Sequence, residues 1–213
     1  PDTMGGERRD LVQAMGAELI LTPAEDGMRG EVEKAEEFKS RIDDLFIPSQ
    51  FENPANPLVH EDTTAEEIWQ DTDGTVDIVV AGIGTGGSVT GIGRKLKQYN
   101  PDVRIVGVEP AESPLLTKGQ AGLHHIEGIG ANFKPDIYDD TVVDEVLVVN
   151  ERDAFLNTRE LARREGIIAG ISSGAALAAA LQLASRSENR GKLAVVLLPD
   201  TGERYLSTWV YRG

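Results

Sequence analysis

Along this chain, runs of β-rich residues alternate with stretches whose apolar residues recur at helical spacing. The runs are Glu18–Thr22, Leu45–Ser49, Val76–Ala81, Ile105–Glu109, Val142–Val149 and Leu193–Leu198. Between them, Gly5–Met15, Gly27–Leu45, Ser88–Tyr99, Glu151–Glu165 and Ser173–Ser187 combine helix formers with amphipathic or buried patterning. Strands that alternate with helices imply an α/β fold built on a mostly parallel, open sheet with flanking helices. Phe51–Leu58 interrupts the pattern with Pro54 and Pro57, which hold the preceding residues extended, so the predicted domain boundary falls there, dividing 1–53 from 54–213. No internal repeat, low-complexity tract or long linker interrupts the rest.

Composition narrows this picture mainly by exclusion. With 213 residues, 40% hydrophobic and 27% charged, the chain is long enough for a sizeable core. No apolar run approaches the roughly 20 residues of a membrane span. Pro1-Asp2-Thr3-Met4 lacks the basic and apolar regions of a signal peptide, which makes a cytoplasmic location the expectation. Cysteine is absent, and His60, His124 and His125 are spaced poorly for a zinc site, so they are expected to be structural or surface residues. A formal charge of -15 would repel a phosphate backbone, and no nucleic-acid partner is expected. Glu31, Glu33, Glu36 and Glu37 fit a solvated helix face.

The chemistry concentrates where the Val76–Ala81 strand enters Gly82-Ile83-Gly84-Thr85-Gly86-Gly87-Ser88 and then a helix. Such a junction leaves backbone N–H groups unpaired at the positive end of the helix dipole, a ready phosphate site that glycine lets a ligand approach closely. Gly82-x-Gly84-x-x-Gly87, with Glu109 about 20 residues on, also fits a dinucleotide fingerprint and hence a nicotinamide oxidoreductase. The hydroxyls of Thr85 and Ser88 favour a terminal monophosphate instead. A ligand-free strand-to-helix turn remains a third reading of the loop alone.

Gly84-Thr85-Gly86-Gly87-Ser88 and the following Thr90-Gly91-Ile92-Gly93-Arg94 resemble the signature of cysteine synthases (O-acetylserine sulfhydrylases). The same family order continues through Asn53-Pro54-Ala55-Asn56-Pro57, Glu109-Pro110, Ser113-Pro114, Gly128-Ile129-Gly130-Ala131, Gly170-Ile171-Ser172-Ser173-Gly174 and Pro199-Asp200-Thr201-Gly202-Glu203-Arg204-Tyr205. Ser88 replaces the family threonine but keeps its hydroxyl. The resemblance implies the fold-type II architecture of pyridoxal-phosphate enzymes, here the C-terminal two-thirds, with 1–53 the remainder of a small substrate-binding domain and 54–213 the larger cofactor-binding domain. It further implies β-replacement of O-acetylserine's acetate by sulfide to give cysteine, with a cystathionine β-synthase-like enzyme or a catalytically silent fold-type II binding protein as alternatives.

By the same resemblance, Gly84, Thr85, Gly86, Gly87 and Ser88 bind the cofactor phosphate. Ser172 faces the pyridine nitrogen, where its neutral hydroxyl would weaken the ring as an electron sink; its alternative role is a helix N-cap. Gln50 holds the substrate carboxylate, and Gly128, Ile129 and Gly130 form a loop that nears the substrate on domain closure. The Asp200–Arg204 segment is placed near the ring without an assigned role. The family's Schiff-base lysine and its Thr-Ser-Gly-Asn loop have no counterpart in these residues, so no catalytic residue is assigned and this polypeptide alone is expected to be inactive. Lys34, Lys39, Lys95, Lys97, Lys118, Lys134 and Lys192 lie outside the motifs and are expected to be exposed. A homodimer and docking of a serine acetyltransferase C-terminal tail are further expectations of the resemblance.

Overall fold

The computed structural model describes residues 1–3 and 5–212, so Met4 and Gly213 lie outside the described residues. The chain enters through helices α1 (Gly6–Ala14) and α2 (Gly27–Lys39), then α3 (Ala55–Val59) and, after a π-helical turn at His60–Thr64, α4 (Ala65–Asp71). Strand β1 (Ile78–Gly82) leads to α5 (Gly87–Tyr99), β2 (Arg104–Pro110) to the short α6 (Leu115–Lys118), and β3 (Glu145–Val149) to α7 (Glu151–Glu165) and α8 (Ile171–Ala184). Strand β4 (Ala194–Val196) and α9 (Trp209–Arg212) complete it.

Among the described residues, the strands form one parallel sheet in the order β3-β2-β1-β4. Successive side chains of a strand point to opposite faces, and each face here is covered by a helix. Ile78, Val80, Val106 and Val108 pack with Ile171, Ala175, Ala179 and Leu183 of α8. Val79, Ala81 and Ile105 pack with Val89, Ile92 and Leu96 of α5. Burial on both faces explains why these strands are almost wholly apolar.

Helices α7 and α8 pack closely because Gly174 lacks a side chain. A Cβ there would lie 2.0 Å from Thr158 Oγ1 and 2.2 Å from the Ala154 carbonyl oxygen. Asn150 caps α7 by accepting a 2.8 Å hydrogen bond from the Asp153 amide, and Gly166 closes it in the left-handed region at φ 71°.

Several expectations from sequence need correction. Glu18–Thr22 and Leu45–Ser49 form no strands; the former has only a 2.9 Å bond from the Asp2 amide to the Thr22 carbonyl, and β propensity without a neighbouring strand makes no ladder. The Phe51–Leu58 stretch is not wholly irregular, because α3 begins at Ala55. Pro54 occupies its N-cap and Pro57 its first turn, where a missing N–H costs nothing. Lys95 and Lys97 are only about a quarter exposed, held by Glu66 at 2.8 Å and Asp144 at 2.8 Å. The remaining strands and the long helices lie within a few residues of their predicted positions, although helix 27–45 already ends at Lys39.

Candidate functional site: a phosphate cup at the sheet's carboxyl edge

β1 is flanked by β2, which follows it in the chain, and by β4, which returns only after β3, α7 and α8, so its carboxyl end is where the connections diverge to opposite sides. Open α/β sheets gather ligands at such a point. There the chain turns through Ile83, Gly84, Thr85 and Gly86 into α5, with Gly86 at φ 82°. The turn is backed by protein on every side that glycine leaves bare. A Cβ on Gly84 would stand 2.4 Å from the Gly128 carbonyl oxygen, and one on Gly87 2.0 Å from Asn56 Oδ1.

Both hydroxyls of the turn are held from α3 and the π-helical turn. Thr85 Oγ1 accepts from the Gly87 amide at 3.2 Å and from Asn56 Nδ2 at 3.1 Å. Ser88 Oγ lies 3.2 Å from His60 Nε2, whose ring is bonded through Nδ1 to Thr64 Oγ1 at 2.9 Å. His60 is therefore no incidental surface residue. Its burial pushes the imidazole pKa below the usual value, favouring the neutral ring. Asn56 Nδ2 also donates to the Gln50 carbonyl at 2.8 Å, so Gln50, its side chain exposed, sits one residue's reach from the cup.

The Gly128–Gly130 loop lies against the same turn. The Gly130 amide donates to the Ile83 carbonyl at 2.8 Å, and Gly128 and Gly130 have φ values of 92° and 71° that other residues rarely adopt. Ile129 is different, since its side chain is 7% exposed and joins the core over Gly82. What this loop offers a ligand is backbone. A Cβ on Gly128 would approach Ser172 Oγ to 3.6 Å, so Ser172, 3% exposed in the first turn of α8, neighbours the loop. The N-cap of α8 is Gly170, not Ser172.

The segment after β4 closes the third side. The Gly170 amide donates to the Asp200 carbonyl at 3.3 Å, and Ala169 bridges Thr201. Tyr205 donates to Asp200 Oδ2 at 2.6 Å, while Asp200 Oδ1 is buried with no partner. Burial raises the Tyr205 hydroxyl pKa further, and the bonded Asp200 carboxylate adds to it. Glu127, beside Gly128, is also raised, by burial first and then by Asp200 and Glu7, with Arg8 opposing. Sequence reasoning missed Asn56 and His60 as neighbours of the turn's hydroxyls. Asn56 and His60 are four residues apart, a helical spacing that puts both on one face.

Glu109 does not serve a nucleotide ribose. It is 2% exposed, and its carboxylate accepts from the Leu116 and Thr117 amides at 2.8 and 3.0 Å, capping α6. This removes the acidic residue on which the dinucleotide reading relied. The lysines Lys34, Lys39, Lys95, Lys97 and Lys134 are occupied in ion pairs, while Lys118 and Lys192 are exposed. Among the described residues, no His, Asp and Glu cluster could hold a metal.

The cup suits a phosphate dianion: α5 begins at the turn and brings the positive end of its dipole there, the Gly87 amide being given to Thr85 Oγ1, and the loop's contacts with Asn56, His60, Gly128 and Tyr138 include no carboxylate. The fold and site thus fit an α/β enzyme that takes a phosphate-bearing cofactor. Residues 1–200 match the family described as pyridoxal-phosphate dependent enzyme. The chain is 46% identical over 220 residues to the cysteine synthase of Buchnera aphidicola (subsp. Schizaphis graminum), covering 99% of this chain and 68% of that one. The cysteine synthase structure from Entamoeba histolytica superposes with a TM-score of 0.93 at 45% identity, covering 100% of this chain and 63% of that one. An O-acetylserine dependent cystathionine β-synthase from Helicobacter pylori superposes with a TM-score of 0.94 at 39% identity, covering 99% of this chain and 68% of that one. The chain belongs to the pyridoxal-phosphate dependent enzyme family, and its cofactor is pyridoxal phosphate.

Proposed function

We propose that these residues form the cofactor-binding part of a cysteine synthase, which exchanges the acetate of O-acetylserine for sulfide. The observation that supports it best is the cup itself, assembled with Ser172 and the Gly128 loop in a chain 46% identical to a cysteine synthase. When bound, pyridoxal phosphate supplies an electron sink that stabilises negative charge on the substrate's α-carbon.

The chain's own residues bind and orient. Amides at the start of α5 and the hydroxyls of Thr85 and Ser88 hold the phosphate through hydrogen bonds and the helix dipole. Ser172 presents a neutral hydroxyl to the pyridine nitrogen, which keeps a full positive charge off the ring and limits competing reactions. Gln50 takes the substrate carboxylate, and the bare backbone of Gly128 and Gly130 leaves room for the amino acid. Residues 1–53 belong to a small domain that closes over 54–213.

Two copies of the protein associate, in the cytoplasm, and a serine acetyltransferase C-terminal tail docks in the same cleft; these three readings rest on family resemblance. Lys34, Lys39, Lys95, Lys97 and Lys134 are engaged in ion pairs, and Lys118 and Lys192 lie outside the motifs, so none of them is assigned to the cofactor's aldehyde. A protein carrying the family's lysine motif ahead of these residues forms cysteine from O-acetylserine and sulfide, read by mass spectrometry. Cystathionine from homocysteine with no cysteine from sulfide would favour the cystathionine β-synthase reading instead.

A further inference from the structure

We propose that His60 is a positioning residue that fixes the direction of the Ser88 hydroxyl proton, so that Ser88 always donates into the cup; this rests on the phosphate site described above. The inference starts from a parallel between the cup's two hydroxyls. Thr85 Oγ1 already accepts two hydrogen bonds, from the Gly87 amide and Asn56 Nδ2. Its remaining capacity is its own O–H, which can only point outward as a donor. Among the described residues, Ser88 Oγ has one protein neighbour of this kind, His60 Nε2 at 3.2 Å.

Two arrangements satisfy that contact. If Nε2 carries the imidazole proton, it donates to Ser88 Oγ, and Nδ1 accepts from the Thr64 hydroxyl at 2.9 Å. The Ser88 proton is then free for the ligand. If Nδ1 carries the proton, Nε2 accepts from Ser88, whose hydroxyl proton is spent on the ring and whose oxygen lone pairs face the cup. A dianion accepts hydrogen bonds and donates none, so it selects the first arrangement. Asn56 and His60 thereby perform the same task for the two hydroxyls, each filling an acceptor position from behind.

The geometry keeps His60 at this post. It opens the π-helical turn His60–Thr64, an irregularity that places Thr64 against its own ring. Gly91 of α5 fits beneath it, since a Cβ there would lie 2.8 Å from His60 Cβ and 2.1 Å from the Pro57 carbonyl oxygen. The imidazole thus has its backbone clamped against the helix that carries Ser88.

The test is long-range proton–nitrogen NMR on this chain, whose three histidines make assignment through a His60→Gln spectrum direct. With pyridoxal phosphate as the probe, the His60 ring is expected as the neutral tautomer protonated at Nε2. By calorimetric titration, His60→Leu is expected to weaken pyridoxal phosphate about tenfold while leaving pyridoxal, which lacks the phosphate, unchanged. His60→Gln, whose amide can still donate to Ser88, recovers most of that loss. A bound ring protonated at Nδ1, or His60→Leu binding as tightly as the original, overturns the assignment of His60 while the cofactor reading stands. No binding of pyridoxal phosphate by the unaltered chain overturns both.

Discussion

Glycine at position 87 does two jobs that no other residue can combine. It donates its amide to Thr85 Oγ1 and leaves the space in which Asn56 lies, with Asn56 Oδ1 only 2.0 Å from where a Cβ would be. Gly87→Ala must therefore displace Asn56 and free one acceptor position of Thr85. The expected outcome is at least a tenfold loss of pyridoxal phosphate affinity, about 1.4 kcal/mol, measured by titration. Gly6→Ala, with nothing within 4 Å, is the control and should leave affinity unchanged. The glycines of this cup were legible in the sequence because their pattern follows from the chemistry of close approach. Asn56 and His60 were not, because the contacts that give them a role span 29 and 28 residues of chain and no local pattern announces them. Glu109 shows the reverse failure: its spacing suggested a ribose contact, and only the structure reveals its carboxylate turned onto α6.

Among elements, the parallel strands were readable because both faces of the sheet are covered and their apolar runs have no interruption. The extended segments at 18–22 and 45–49 were misread for the opposite reason, since a strand exists only by pairing, and pairing is not a property of one segment. Glu145, at the start of β3, shows how elements are tied together. Its carboxylate meets Arg186, just past the end of α8, at 2.7 Å and Arg104 of β2 at 2.9 Å. The hydrogen bond from Arg186 comes first among the causes that hold its pKa below the usual carboxylate value. A carboxyl lowered in the folded state binds protons more readily when unfolded, so its stabilisation is present above the ordinary carboxylate range and is lost as pH falls through the folded value. Glu145→Gln should cost about 1 kcal/mol at pH 7 by urea unfolding. The gap from the unaltered chain should close as the pH is lowered below 4, in the range where the ordinary carboxylate is protonated.

At the scale of the whole molecule, the sheet's order decides what can be removed. β1 pairs with β4 through Ile78–Ala194, Val79–Val195 and Val80–Val196, and the Leu197 amide extends that contact to the Val80 carbonyl at 2.9 Å. A chain ending at residue 190 leaves β1 with an open, apolar edge, and such edges recruit other chains. It should partition into the insoluble fraction on expression, as read by sedimentation of the lysate, whereas removal of α9 alone should not expose that edge. The same pairing sets a timetable for synthesis. The cup appears at residues 84–88, but the strand that bears it gains its second neighbour only when residues 194–196 emerge, so the ribosome must release most of this chain before a cofactor can find a finished seat.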